Sequence, residues 1–327
     1  MTIASIPSYP VGEWMNCSHA KSPKKGCLTI PFREQIPPDI IVRLGSCTVL
    51  GLLLFGSAAI ADNKVSISGF IPGRAWNPDK IGAFMNGQWY MDCNGNGTWE
   101  GQPPDRTTSF GIAGDIPVVG DWDRDTASEM GVFRGGQWYV DYGGRPDLWD
   151  GTTIDRLYNF GFTSAIPVIG DWNGDTEPEI GVYNAGTWYL DTNSNNTWDG
   201  TGTGKDAQHS FGAAGWTPVV GDWNRDGQVE IGAYTGAGTW YVDANRNYLW
   251  DGTGSGKDTI LNFGFAGAIP VTGDWNQDGV FEIGVLNAGT WYLDANGDNA
   301  WDGTGPGKDV VYAFGASGFT PVVGDWT

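Results

Sequence analysis

Short apolar runs separated by polar turns recur along the chain at a nearly constant interval. In residues 217–267 four such runs, at 217–222, 231–235, 239–243 and 259–263, are rich in valine, isoleucine, tyrosine and tryptophan. Glycine, asparagine and aspartate separate the runs, and none shows the 3.6-residue period of an amphipathic helix. The pattern predicts an all-β fold in which each interval contains four short strands, called A, B, C and D.

The same unit occurs five times, at spacings of 49 to 52 residues. Gly-Asp-Trp begins at Gly120, Gly170, Gly221, Gly273 and Gly324. Trp-Tyr-x-Asp begins at Trp89, Trp138, Trp188, Trp240 and Trp291, and Phe-Gly begins at Phe110, Phe160, Phe211, Phe263 and Phe314. Tandem four-stranded antiparallel blades of about 51 residues predict a β-propeller or a propeller-like open array. In such blades the A–B and C–D loops emerge on one face.

The A–B loop carries oxygen-bearing side chains at positions 1, 3, 5 and 9, and position 7 can offer its carbonyl. Hard oxygen ligands without His or Cys are typical of Ca²⁺, and a glycine at position 6 allows the sharp turn. Four loops are predicted calcium sites: Asp121, Asp123, Asp125, Glu129; Asp171, Asn173, Asp175, Glu179; Asp222, Asn224, Asp226, Glu230; and Asp274, Asn276, Asp278, Glu282. Thr126 and Thr176 replace the glycine in two of them, which we expect to loosen those sites.

The C–D loop repeats the 1, 3, 5, 9 spacing with fewer carboxylates, so weaker calcium binding is expected. Its predicted ligands are Asp92, Asn94, Asn96, Glu100; Asp191, Asn193, Asn195, Asp199; Asp243, Asn245, Asn247, Asp251; and Asp294, Asn296, Asp298, Asp302. For a single loop the alternative is an Asx-turn hairpin without metal. The second unit (Asp141, Gly143, Arg145, Asp150) contains a slip and a cation, so no ion is expected there. The first A–B loop, at 76–79, is too short to close on a metal.

A resemblance to a known family is carried by Phe263-Gly264, by Gly-Ala-Ile-Pro at 267–270 and by Asp-Trp-Asn-Gln-Asp-Gly at 274–279. These motifs resemble the FG-GAP/VCBS repeat of integrin-α-type β-propellers, over about residues 71–327. The resemblance implies propeller blades with Ca²⁺ held in the loop matched here by 222–230. The chain departs from the family in its short repeat, its low count of five and its second ion loop per blade.

The charge balance fits several bound cations. The chain has 38 acidic against 18 basic residues and a net charge of −20, although only 17% of its residues are charged. This balance argues against an electrostatic nucleic-acid binder, which needs a basic surface. Up to about eight Ca²⁺ ions would offset most of the excess negative charge, so we interpret this excess as the charge of the metal-binding sites.

The N-terminal region is predicted to direct secretion. Residues 44–55 form an apolar run after Arg43, and Ala59 and Ala61 provide an Ala-x-Ala cleavage site, which is typical of a signal peptide over 42–61. A buried strand or helix is the alternative. Residues 1–41 are interpreted as a non-native or unstructured leader. The mature chain, 62–327, would hold the repeats, no membrane span and one cysteine (Cys93), so no intramolecular disulfide is expected.

The array ends on an extra strand A at 319–327, while its opening copy at 71–76 is degenerate. Three arrangements are open. The terminal strand could complete the first blade and close a ring, or it could join the first blade of another copy and build a filament. The chain could also be part of a longer protein.

Residues suited to catalysis are few. The two histidines are His19, before the signal, and His209, at a position that holds Leu261 in the next unit. There is no serine elbow, Cys-x-x-Cys pair or phosphate loop, and the paired acids are better explained as metal ligands than as a glycosidase pair. The protein is therefore expected not to be an enzyme.

Together these features predict a secreted calcium-binding repeat protein with a structural or adhesive role at the cell surface, or in extracellular matrix or filaments. Its expected partners are calcium, further copies of itself through the terminal half-repeat, and a glycan or cell-surface protein. The alternative is a carbohydrate-binding propeller or the non-catalytic module of a polysaccharide-degrading enzyme. Trp188, Tyr189 and their copies could stack on sugars, but alternation along strand C puts one ring inward and one outward, so packing between blades is the default interpretation.

Overall fold

The computed structural model describes residues 79–125, 127–143 and 147–326. The predicted leader (1–41), the predicted signal peptide (42–61) and the degenerate first strand A (71–76) lie outside the described residues. Within the described ranges the regular structure consists of twenty β-strands without a helix. No helix in these ranges is long and apolar enough to cross a membrane.

The strands fall into the four predicted types. The A strands are β4 (Ile116–Gly120), β8 (Ile166–Gly170), β12 (Thr217–Gly221), β16 (Ile269–Gly273) and β20 (Thr320–Gly324). The B strands are β1 (Lys80–Met85), β5 (Glu129–Arg134), β9 (Glu179–Asn184), β13 (Glu230–Tyr234) and β17 (Glu282–Asn287). The C strands are β2 (Gln88–Met91), β6 (Gln137–Val140), β10 (Thr187–Leu190), β14 (Thr239–Val242) and β18 (Thr290–Leu293). The D strands are β3 (Arg106–Ser109), β7 (Arg156–Asn159), β11 (Ala207–Ser210), β15 (Thr259–Asn262) and β19 (Val310–Ala313).

The strands form five four-stranded antiparallel sheets, which are the blades of a propeller. Blade 1 contains β20, β1, β2 and β3, and blades 2 to 5 contain β4–β7, β8–β11, β12–β15 and β16–β19. The five A strands adjoin one another in a closed circle. The predicted all-β fold of tandem four-stranded blades is confirmed, in its closed form.

The ring closes within one chain through the terminal strand. Strand β20 pairs antiparallel with β1, with Gly324 opposite Lys80. Beyond the strand, the Trp326 indole N–H donates to the carbonyl oxygens of Lys80 (3.1 Å) and Ile81 (3.2 Å). The structure therefore has the intrachain ring, in which the terminal strand completes the first blade.

The Trp-Tyr and Phe-Gly motifs meet inside each blade. The tryptophan of strand C is fully buried in every blade. In blade 4 the Trp240 indole N–H donates to the carbonyl oxygen of Phe263 at 2.8 Å, and the same bond recurs in the other four blades at 2.9–3.0 Å. Because a buried indole N–H needs a partner, this bond fixes where strand D ends against strand C.

The glycine of Phe-Gly lets neighbouring blades pack closely. Gly264 has φ +105°, and a Cβ there would lie 2.8 Å from the Val285 Cγ1 of the next blade. A side chain at this position would therefore strain the backbone and push the blades apart. The apolar core lies between blades: one cluster joins Val168 and Trp188 of blade 3 to Ile231 and Ala233 of blade 4.

Removal of the Trp326 side chain tests the ring closure. Trp326 is 3% exposed and packs in the cluster shared by blades 1 and 2. The Trp326→Ala variant should lose about 3–5 kcal/mol of unfolding free energy, which denaturant unfolding measures. The control Leu249→Ala, at a residue 61% exposed, should lose well under about 1 kcal/mol. Equal losses in the two variants would contradict the closure.

Candidate metal centres

The A–B and C–D loops share one face of the propeller, as strand parity predicts. In blade 3 the Asn173 Nδ2 of the A–B loop donates to Ser194 Oγ of the C–D loop at 3.0 Å. In blade 4 the Asn224 Nδ2 donates to the carbonyl oxygen of Ala244, also at 3.0 Å. The two loops of a blade therefore support each other, and the acidic residues of the repeat gather on this face.

Each predicted A–B loop brings its acids together. In blades 2 to 5, one carboxylate oxygen from each predicted acidic ligand lies within 4.8 Å of the others, and the clusters are Asp121, Asp123, Asp125 and Glu129; Asp171, Asp175 and Glu179; Asp222, Asp226 and Glu230; and Asp274, Asp278 and Glu282. The position-3 asparagines Asn173, Asn224 and Asn276 lie in the same loops. These groups could hold a metal ion.

The position-1 aspartate organises the loop backbone. Asp171 Oδ1 accepts from the N–H groups of Gly174 (2.6 Å) and Asp175 (3.1 Å), and its Oδ2 accepts from Thr176 (2.8 Å). Positions 4 and 6 take positive φ, with values of 81° at Gly174 and 72° at Thr176. A left-handed conformation costs a non-glycine residue about 1–2 kcal/mol, so Thr176 is strained where blade 4 has Gly227.

The position-9 glutamate forms the buried wall of each cluster. Glu179, Glu230 and Glu282 are at most 3% exposed, and Glu129 is half-buried. One oxygen of each glutamate accepts the N–H of the position-2 tryptophan at 2.7–2.9 Å. In blade 5 the other oxygen of Glu282 accepts from Asn276 Nδ2 at 2.9 Å, so it faces the loop.

The surroundings of these glutamates do not compensate the negative charge that each would carry when ionised. Burial, and then the charges of the neighbouring aspartates, raise the pKa of Glu129 and Glu230 to about 9, against the opposing effect of the tryptophan N–H. The same causes raise the pKa of Glu179 and Glu282 to about 8. A cation among these oxygens would favour the ionised form. The clusters could therefore hold a metal ion, and their carboxylate oxygens are of the donor type that a hard divalent cation prefers.

Blade 1 supplies its own positive charge at the equivalent place. Lys80 lies opposite Gly324, as Glu282 lies opposite Gly273, so the lysine takes the glutamate's position in the sheet. Its Nζ lies 3.6 Å from Asp325 Oδ1, and both side chains are buried. Asp325 is the position-1 aspartate of this blade. In the other blades the equivalent aspartate belongs to the acidic cluster, whereas here it lies beside an ammonium group.

The C–D loops have the same backbone conformation as the A–B loops, but their acidic side chains are arranged differently. Asp191 Oδ1 accepts from Asn195 N (3.2 Å) and its Oδ2 from Asn196 N (2.6 Å), and positions 4 and 6 again take positive φ. The position-9 acids are exposed: Glu100, Asp199, Asp251 and Asp302. Among the described residues, no cluster of three acids as tight as those of the A–B loops forms in a C–D loop. Calcium binding by these loops stays a prediction.

The C–D loop of blade 2 departs from the others, as its sequence indicates. Asp141 Oδ2 accepts from Asp147 N at 2.6 Å, one residue later than in the other loops. Arg106 of blade 1 lies 3.3 Å from Asp147, which places a cation from the neighbouring blade at this loop. Arg145 lies outside the described residues.

Sequence reasoning missed one buried acid in every blade. Asp105, Asp155, Asp206, Asp258 and Asp309 directly precede the D strands and are at most 3% exposed. Each stands five residues before the phenylalanine of Phe-Gly, and this fixed spacing is the signal that could have identified them. Each accepts the backbone N–H of the position-9 residue of its C–D loop.

Comparison with known protein families finds no family that matches the chain. A search of curated proteins likewise finds no match. The resemblance to the FG-GAP/VCBS repeat therefore depends on the motifs of this chain alone.

The raised glutamate pKa values predict how pH acts on the metal-free protein. These groups ordinarily titrate near 4.5, so their raised folded-state values make ionisation destabilising. The unfolding free energy should be highest below about pH 5 and should fall as pH rises toward 9, since one pKa unit on one group corresponds to about 1.4 kcal/mol. Urea unfolding of metal-free protein at pH 5, 7 and 9 measures this. Greater stability at pH 9 than at pH 5 would contradict the analysis.

Proposed function

We propose that the protein is a calcium-stabilised β-propeller that serves as an extracellular structural or adhesive module. The observation that carries the proposal is the recurrence, in four blades, of a glutamate packed against two or three aspartates within 4.8 Å. Four copies of one costly arrangement are hard to explain as chance surface acids. Bound Ca²⁺ would neutralise each cluster and fix the A–B loop between the two strands that it joins.

The donor chemistry supports calcium over other metals. The grouped atoms of the four clusters are carboxylate oxygens, and no His or Cys accompanies them. Hard oxygen donors on a flexible loop suit Ca²⁺, which takes six to eight oxygens at about 2.3–2.6 Å. Zinc and copper prefer sites with nitrogen or sulfur ligands.

Several features support an extracellular role. The predicted signal peptide would export the chain, and calcium is abundant outside cells. The described residues contain one cysteine, Cys93, which is a free thiol. Metal ions would therefore provide the stabilisation that disulfides give many secreted proteins. His209 stacks on Tyr248 with ring centroids 3.8 Å apart, an arrangement that suits packing rather than proton transfer.

The closed ring bears on the expected self-assembly. Because β20 is paired inside its own chain, a head-to-tail filament through this strand would require the strand to leave blade 1. Filament formation by that route stays a prediction from the sequence. We propose that the ring acts as one rigid unit, because every blade packs against a neighbouring blade on each side.

Replacement of one buried glutamate tests the calcium proposal. In the full chain, Glu179→Gln should bind one Ca²⁺ fewer than the wild type, as measured by equilibrium dialysis with elemental analysis. A chelator should lower the melting temperature of the wild type sharply, since each lost site removes about 2.7 kcal/mol at a hundredfold excess of ligand over Kd. In chelator the variant should melt at or above the wild type, because the substitution removes a buried negative charge.

Glu177→Gln is the matched control, two residues away in the same loop. Glu177 pairs with Arg124 at 2.9 Å and lies outside the cluster of Asp171, Asp175 and Glu179. This variant should keep the full number of Ca²⁺ ions. A melting transition that chelator leaves unchanged would overturn the proposal.

Carbohydrate binding is a second candidate function, favoured by aromatic pockets at the seams between blades. One pocket of about 310 Å³ is lined by Phe263, Gly264, Phe265, Val285, Tyr292 and Trp301, and the same residue types line a second between blades 2 and 3. Trp301 is 44% exposed and meets Tyr292 edge-to-face at 5.6 Å. Exposed indole faces are suited to stacking on the apolar faces of sugars.

The structure changes which rings could contact a sugar. Trp188 and its copies are fully buried, so they pack in the core, as the default interpretation of the sequence has it, and cannot stack on a sugar. Tyr189 and its copies remain half-buried. The accessible indoles are Trp99, Trp149, Trp250 and Trp301, which stand at position 8 of the C–D loops or at its equivalent.

A glycan array with calcium present tests this second function. We expect neutral glycans to bind. Trp301→Ala should weaken the binding only in part, because it removes the indole of one of the five seams between blades and leaves the other four unchanged. The control Leu249→Ala removes an exposed apolar side chain beside another seam and should change binding little. If a broad panel of neutral glycans gives no binding, the carbohydrate function is wrong.

A further inference from the structure

The buried aspartate before each D strand has one oxygen that the protein satisfies and one that it does not. Asp309 Oδ2 accepts the backbone N–H of Asp302 at 2.8 Å, and Asp309 is 1% exposed. Its Oδ1 is buried without a hydrogen-bond partner, and the same holds for Oδ1 of Asp105, Asp206 and Asp258. A buried carboxylate oxygen without a partner is expensive, and it recurs here at the same place in four blades.

The four unsatisfied oxygens occur in the four blades whose C–D loops keep the ligand spacing. These are blades 1, 3, 4 and 5. In blade 2, where the spacing is broken, Asp155 Oδ1 accepts the backbone N–H of Tyr142 at 3.3 Å, and its Oδ2 accepts that of Asp150. Both oxygens of Asp155 thus accept a backbone N–H where the loop spacing is broken, whereas Oδ1 of the other four aspartates has no geometric hydrogen-bond partner where the spacing is kept.

The D-strand aspartate corresponds to the glutamate of the A–B cluster. In the A–B loops the buried Glu accepts the N–H of the position-2 residue, as Glu282 does from Trp275 at 2.9 Å. In blade 2 the buried Asp155 accepts from Tyr142, which is position 2 of its C–D loop. In blade 5 the Asp309 carboxylate lies close enough to Asp294 for its charge to raise the pKa of that group.

In blades 3 to 5 the position-9 residue of the C–D loop already has a lysine beside it, whereas in blade 1 the Glu100 carboxylate accepts from the side-chain amides of Asn94 and Asn96. Lys308 Nζ lies 3.5 Å from Asp302 Oδ2 and donates to the Asp302 carbonyl oxygen at 2.8 Å. Lys205 and Lys257 donate in the same way to the carbonyl oxygens of Asp199 and Asp251. These lysines directly precede the D-strand aspartates, so the repeat places an ammonium group beside the exposed acid and leaves the buried acid facing the loop.

We propose that the D-strand aspartates Asp105, Asp206, Asp258 and Asp309 are ligands of a second class of divalent-cation site, built with positions 1, 3 and 5 of the C–D loop. In blade 5 the proposed ligands are Asp294, Asn296, Asp298 and Asp309, which can each offer a hard oxygen to Ca²⁺, and binding would draw the three carboxylates into a group as tight as those of the A–B loops. The buried aspartate takes the place that glutamate holds in the A–B cluster. The inference rests on the proposed function and deepens it, because it gives each predicted C–D site a buried ligand in place of the exposed position-9 acid.

Two aspartate variants test whether the D-strand aspartate is a metal ligand or only a hydrogen-bond acceptor for the loop backbone. Asp309→Asn and Asp155→Asn each alter an aspartate that accepts the position-9 N–H, so a purely structural role predicts similar effects. We expect the full-length wild type to bind about eight Ca²⁺ ions, Asp309→Asn to bind one fewer, and Asp155→Asn to bind the wild-type number. The measurement is equilibrium dialysis against Ca²⁺ alone, with circular dichroism to confirm folding. Asp302→Asn, at the exposed position 9, should also keep the full number.

The wild-type count distinguishes this proposal from the proposed function. Four bound ions would overturn the second class of site and leave the A–B clusters as calcium sites, whereas no bound ions would overturn both. An unchanged count in a folded Asp309→Asn variant would also overturn the proposal. If that variant does not fold, Asp258→Asn in blade 4 and the wild-type count decide the outcome.

Discussion

The structure depends on the compensation of negative charge buried at one face of the ring. Each of blades 2 to 5 places a glutamate at the start of strand B, where it packs against two or three aspartates of the same loop. Like charges at this separation repel strongly in a partly desolvated site, so the loops are stable as ionised clusters only with a positive charge among them. The backbone N–H groups of the loop, aligned by the position-1 aspartate, supply part of the compensation. A divalent cation would supply the rest.

The ring-closing blade solves the same problem with a side chain. Its A and B strands come from opposite ends of the chain, so no continuous loop exists there to wrap a cation. Lys80 stands at the glutamate position and contacts Asp325, so a side chain supplies positive charge to the position-1 aspartate there. Ring closure would then be independent of calcium, while the loops of the other four blades would depend on it. Under the proposed function, stability would depend on metal in blades 2 to 5 and not at the junction in blade 1.

Much of the architecture follows from local sequence. Repeated anchors give the blade count, apolar runs such as 217–222 give strands, and strand parity puts both acidic loops on one face. Three features were beyond this reasoning. The pairing of β20 with β1 is a contact between the chain ends, and the sequence pattern is equally compatible with pairing between copies. The exchange of glutamate for Lys80 is visible only once the register with Gly324 is known. The D-strand aspartates, such as Asp309, lie far along the chain from position 1 of their loops, and only the folded blade brings them beside it.

The account is tested most directly by a crystal structure of the full chain grown with Ca²⁺, with anomalous scattering used to locate the ion. We predict anomalous peaks in the A–B loops of blades 2 to 5, each with oxygens of the buried glutamate about 2.3–2.6 Å away, and none between Lys80 and Asp325. Well-ordered A–B loops without anomalous density at millimolar calcium would contradict the central claim.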